Sequence, residues 1–117
     1  MKFAVATDDG KTLRFGHFGD AEKYVIYEYK DGSFAFLEER ENPYTDEKLG
    51  IDKHDDARKA GLIKELLKDV DVLVGHSMGR QNRERLKKQG KKMIPLLKKN
   101  ISIEEALKLA LDRLSDA

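Results

Sequence analysis

His17, His54 and His76 are the three histidines of the sequence, and they carry its most versatile chemistry. Neutral imidazole is the commonest nitrogen ligand for transition metals and serves a single ion or the exposed metal atom of a cluster. His17 stands in Phe15-Gly16-His17-Phe18-Gly19, and His54 is followed by Asp55, which can orient the ring by a hydrogen bond. His76 stands in Gly75-His76-Ser77-Met78-Gly79, whose glycines let backbone amides approach a ligand. Arg80 and Arg83 follow at the start of an expected helix, whose dipole favours anions. Imidazoles, a glycine turn and guanidinium groups suit an anionic, metal-containing ligand better than a bare cation. Asp8 and Asp9 offer carboxylates of the kind that two-metal phosphodiester cleavage needs, but Gly75 to Gly79 adds no acid, so a nuclease ranks last.

Plainer readings stand beside these. A single loop histidine is more often solvated or capping than ligating. Asp8-Asp9-Gly10 reads as a turn with local hydrogen bonds, and Asp55 and Asp56 read as a helix cap. Gly61, inside a helical pattern, reads as a point of close packing on the sheet, and Tyr24, Tyr27 and Tyr29 read as sheet-face packing.

The elements that must position these residues follow from periodicity. Phe3 to Ala6 is a short apolar run stopped by turn residues, which predicts a buried strand, and Lys11 to Glu22 reads as a loop. Lys23 to Tyr29 is aromatic and β-branched and predicts a second strand; Asp31-Gly32 predicts a tight hairpin into a third, Phe34 to about Arg40. Residues 42–53 are polar and aperiodic. A helix to about Lys68 carries Ala60, Ile63, Leu66 and Leu67 at helical spacing, a strand follows over Val70 to Val74, and a second helix runs from Arg80 to Gln89, stopped by Gly90. A fifth strand centres on Met93-Ile94. Ser102-Ile103-Glu104-Glu105 is a capping box opening a last helix with an apolar stripe from Ile103 to Leu114.

The order β-β-β-α-β-α-β-α predicts an α/β domain with a five-stranded mixed sheet of order 3-2-1-4-5, strand 2 antiparallel. That is the three-layer, ribonuclease-H-like arrangement. Ligands in such sheets bind at the carboxyl ends of parallel strands where the connections diverge, here between strands 1 and 4. All three histidines are expected in loops at that rim.

With 117 residues, 39% hydrophobic and 38% charged, the chain fits one folded domain over residues 1–117. Its net charge of +1 gives no general attraction to nucleic acid or membrane. The absence of cysteine excludes disulfides, thiolate-held clusters and cysteine nucleophiles within this sequence. No apolar run approaches the roughly 18 residues of a membrane span, and the short apolar stretch near the start falls short of a signal peptide, so a cytoplasmic location is expected. High charge with two Gln and three Asn resembles thermophile composition. Charge is also uneven. Residues 80–99 hold nine basic side chains against Glu84, whereas residues 38–56 hold eight acids against three bases. These read as solvated faces, or as surfaces for pairing between chains into a weak homo-oligomer. The second helix, with Leu86 nearly its sole large apolar residue, is expected to be loosely attached.

The opening Lys2-Phe3-Ala4-Val5-Ala6-Thr7-Asp8, followed by Phe15-Gly16-His17-Phe18-Gly19, resembles the dinitrogenase iron–molybdenum cofactor biosynthesis family, of the NifX, NafY and NifB C-terminal type. Glu41-Asn42-Pro43, a histidine before the first long helix, a glycine turn after strand 4 and Ser102-Ile103-Glu104-Glu105-Ala106 continue the resemblance over nearly the whole chain. The resemblance implies a ribonuclease-H-like fold and the non-enzymatic binding, carriage or storage of an iron–sulfur or iron–molybdenum type cluster, with metallocluster donor and acceptor proteins as partners. It implies His17 and His54 as metal ligands. His76 and Ser77 stand where the family more often has glycine. The candidate site is therefore His17, His54 and His76 for metal, with Asp8, Gly16, Phe18, Gly75, Ser77, Gly79 and Arg80 around the anionic part. A small-anion or protein-binding regulatory module is the alternative.

Overall fold

The computed structural model describes residues 1–49, 56–78 and 80–115. Five strands form one sheet: β1 (Lys2–Thr7), β2 (Lys23–Lys30), β3 (Ser33–Glu41), β4 (Val72–Gly75) and β5 (Lys92–Pro95). Their order is β3-β2-β1-β4-β5, as the sequence predicts. β2 is antiparallel to β1 and β3, while β1, β4 and β5 run parallel, with Val5 opposite Val25 on one side and Val74 on the other. Among the helices, α1 (Asp46–Leu49) lies in the connection expected to be irregular. Its first turn is capped where Thr45 Oγ1 accepts the Lys48 amide at 3.3 Å. α2 (Asp56–Leu66), α3 (Arg80–Lys88) and α4 (Ile103–Ser115) complete the described elements.

The period of two along β1 sorts its side chains onto two cores. Phe3 and Val5 join Val25, Val72 and Val74 on the face covered by Ala106, Leu107 and Ala110 of α4. Ala4 and Ala6 face the other way, among Tyr24, Ile26, Leu73, Ile63 of α2, Leu67 just past its end, and Leu86 of α3. Each fully buried Leu or Phe here contributes about 2 kcal/mol by removing apolar surface from water. The hairpin is tight because Asp31 (φ 53°) and Gly32 (φ 82°) both take left-handed backbone. Ser102 Oγ accepts the Glu105 amide at 3.1 Å, half of the expected capping box. The start of α4 is also tied to the loop after β1, since the Ile103 amide donates to Lys11 O at 3.1 Å and the Leu13 amide to Ile101 O at 3.0 Å.

Three readings need correction. Gly61 is exposed and a Cβ built there meets nothing within 4 Å, so it packs against no sheet. Val70 precedes its strand, because its amide closes the end of α2 on Leu67 O at 3.0 Å and pairing begins at Val72. Lys91, counted above on a solvated basic face, is buried, and its ammonium donates to Leu67 O, Lys68 O and Val70 O at the carboxyl end of α2. The expected cap at Asp55 lies outside the described residues, as does the Ala60 side chain.

Candidate functional site

The strand order brings the loops after β1 and β4 to the same rim, and a backbone contact joins them. The Phe18 amide donates to Ser77 O at 2.9 Å, and His17 and Ser77 form an isolated parallel bridge. The parallel pairing of β1 and β4 thus continues past both strand ends, with His17 beside the segment that carries His76. Gly75 makes this approach feasible. A Cβ there would stand 2.9 Å from Phe18 Cδ2 and 3.2 Å from Met93 Cε, closer than packed carbons allow.

The first loop is shaped by its own acids. Asp9 Oδ1 accepts the Lys11 and Thr12 amides, each at 2.8 Å, and the Thr12 hydroxyl. The amide bonds from Thr12 and Lys11 hold its carboxyl well below the usual range, and Gly10 closes the turn with φ 78°. A carboxyl with a depressed pKa adds stability above the ordinary aspartate range near 4, and that stability is lost as the pH falls through and below this range. Asp9→Asn is accordingly expected to lower stability at pH 7 and to reduce the further loss between pH 5 and pH 2.5, which urea unfolding across that interval checks. Asp8 takes the Arg14 guanidinium at 2.8 and 2.9 Å and the Glu22 amide at 3.0 Å. Arg14 in turn donates from Nε to His17 O at 3.2 Å. Both aspartates are thus engaged within the loop.

A buried hub holds the next stretch. Asn42, fully buried, donates from Nδ2 to Ala21 O at 2.8 Å and Gly19 O at 3.1 Å, and accepts the Tyr44 amide at 2.9 Å. Tyr24, also fully buried, donates its hydroxyl to Phe18 O at 2.8 Å. Burial pushes the Tyr24 hydroxyl far above the usual tyrosine range, so it remains a donor. Phe18 is itself fully buried, packing against Tyr24 with ring centroids 4.9 Å apart. Its side chain therefore supports the rim from below.

Two imidazoles result with ring atoms free of the usual structural duties. His17 is exposed and precedes the short 3-10 turn Phe18–Asp20, yet its side chain makes no capping bond there. His76 has a buried Nδ1 with no hydrogen-bond partner. Phe15 packs against the His76 ring with centroids 4.5 Å apart. Gly16, between Phe15 and His17, takes φ 115°, which strains any residue with a Cβ. The site also borders the loop after β5, where the Leu96 and Leu97 amides donate to Gly75 O at 2.9 Å and His76 O at 3.2 Å.

His54 and Gly79 lie outside the described residues; Arg80 opens α3, and its side chain is likewise outside them. Among the described residues no three His, Asp or Glu side chains converge to cage an ion. Asn42, Tyr24 and Phe15 are positioning residues absent from the sequence-derived set. Asn42 and Phe15 stood in the segments Glu41-Asn42-Pro43 and Phe15-Gly16-His17-Phe18-Gly19 that carry the family resemblance, and Tyr24 gave no such signal.

Over residues 1–113 the sequence matches the family described as dinitrogenase iron–molybdenum cofactor. The chain belongs to that family. The family is tied by its description to the iron–molybdenum cofactor, and the match extends from β1 through nearly all of α4. No curated protein matches the sequence. Among solved structures, the chain is similar to the apo form of the orange protein from Desulfovibrio gigas, 16% identical with a TM-score of 0.65, over 95% of this chain and 87% of that one. It is similar to a putative NifB protein from Thermotoga, 21% identical with a TM-score of 0.63, over the same two shares. A third likeness, to PH0822, has 17% identity and a TM-score of 0.60 over 81% of this chain and 78% of that one. These likenesses establish the shared fold, and the family rests on the sequence match. No helix among the described residues is long and apolar enough to cross a membrane.

Proposed function

We propose that this family member is a non-enzymatic carrier or store of an iron–sulfur or iron–molybdenum type cluster during cofactor assembly, acting as one domain over residues 1–117 in the cytoplasm. His17 and His76 ligate exposed metal atoms of the cargo, with His54 as the third imidazole. Gly75, Ser77, Gly79 and Arg80, in the segment from β4 into α3, are the residues assigned to its anionic sulfide or oxo groups, where the helix dipole adds to the attraction. Asp8, Gly16 and Phe18 hold the His17 loop in place for that contact. Donor and acceptor proteins load and unload the cluster.

The observation that carries this reading is the pairing of the two loops through the Phe18 amide and Ser77 O, which brings the His17 backbone beside the segment that holds His76, whose Nδ1 has no partner. A buried nitrogen left unpaired costs about 1–3 kcal/mol, which a metal bond offsets. The two described imidazoles and a glycine turn suit a cluster held at one side better than an enclosed ion. Without thiolates the hold is weak enough for transfer, and acid releases the cargo by protonating imidazole.

Anaerobic incubation of apo protein with iron, sulfide and molybdate tests this reading. Wild type is expected to retain a visible chromophore through gel filtration, with His17→Ala and His54→Ala each losing most of it. Equal colour in all three proteins contradicts the assignment.

A further inference from the structure

We propose that Phe15 and Lys99 decide which ligand reaches His76, the phenyl ring as its cover and the ammonium as the holder of that cover and the selector for anions. This rests on the carrier reading and extends it to ligand selectivity. The Phe15 ring lies 4.5 Å from the His76 ring, centroid to centroid, with the planes 55° apart. Lys99 Nζ stands 4.6 Å from the Phe15 centroid, within the range of a cation–π contact. Phe15 is nonetheless 57% exposed, so burial does not explain a phenyl ring at this position. Its near side shields an imidazole whose Nδ1 is buried and unpartnered.

The backbone suits a movable ring on a fixed base. Arg14, just before Phe15, is clamped by both Asp8 oxygens. Gly16, just after it, takes φ 115° and can absorb a backbone change that other residues resist. Lys99 belongs to a loop fastened to the His76 backbone through the Leu97 amide, with left-handed Leu97 and Asn100 (both φ 57°) on either side. No acid among the described residues pairs with Lys99.

Selection follows from competition for the ammonium. A multiply charged anion attracts it more strongly than an exposed aromatic ring does, so an arriving anion draws Lys99 away and frees Phe15 to leave His76. A bare cation meets a like charge and a ring still held in place.

Two probes separate these effects: nickel ions, followed by paramagnetic broadening of the His76 imidazole NMR signals, and tetrathiomolybdate, a molybdenum–sulfur dianion followed by its visible absorption. Lys99→Gln is expected to weaken tetrathiomolybdate binding about tenfold and to tighten nickel binding about threefold. Phe15→Ala is expected to take up both probes at least fivefold faster, with circular dichroism showing that both variants are folded. Unchanged affinities in Lys99→Gln overturn the selection, and nickel uptake at His76 no faster in Phe15→Ala than in wild type overturns the cover. Wild type that binds no tetrathiomolybdate overturns the selection, the iron and sulfide loading test judges the carrier reading separately, and the nickel rates still judge the cover by themselves. Loss of binding in His17→Ala with no change in either of the other variants leaves the carrier reading standing and removes this one.

Discussion

Replacing Asn42 by leucine is expected to cost about 3 kcal/mol of folding stability, from buried backbone groups left without partners. Leucine fills nearly the same volume, so the loss is polar and not a cavity. The Ala21 and Gly19 carbonyls lose their amide donor and the Tyr44 amide loses its acceptor, all around a fully buried side chain. The functional effect has the same origin. Residues 18–22 sit on this hub and on the Tyr24 hydroxyl, and they carry the Phe18 amide that pairs with Ser77. The variant should therefore lose stability and retain less cluster. Urea unfolding checks the first effect and anaerobic loading the second; a stability loss under about 1 kcal/mol contradicts the hub.

Lys91→Met is expected to be of similar size, about 3 kcal/mol, and to lower the melting temperature by roughly 12 °C for a domain of this length. Methionine keeps the apolar stem but removes the ammonium that serves three carbonyls, Leu67 O at 2.9 Å, Lys68 O at 3.0 Å and Val70 O. These carbonyls lie at the negative end of the α2 dipole, so a cation there is doubly favoured. Burial draws the ammonium pKa below the usual lysine range, a cost that the three acceptors offset. Cluster loading should be little affected, because Lys91 supports the far end of the sheet from the histidine rim. Anaerobic loading separates the two variants: calorimetry finds both melting early, and only Asn42→Leu loses its cargo.

The sheet was legible because its signals are local. Asp31-Gly32 fixes the hairpin, the apolar stripe from Ile103 fixes α4, and the short apolar runs of β1 and β4 mark buried strands. Given that order, the meeting of the His17 and His76 loops follows from handed connections alone. The groups that sequence reasoning missed owe their roles to distant partners. Lys91 lies in a run of cations and reads as a surface charge, since the carbonyls it satisfies are more than twenty residues away. Asn42 sits in a polar connection where no period reveals burial. Phe15 over His76 joins residues sixty-one apart through two loops. Gly61 failed in the opposite direction, because a helical glycine suggests close packing and here faces open space.

Cluster carriage is tested most directly by the metal and acid-labile sulfide content of the full chain purified without oxygen. It predicts iron and sulfide, with or without molybdenum, bound to the wild-type protein and lost together from His17→Ala and from His76→Ala. Protein free of metal and sulfide, or equal content in all three, contradicts it.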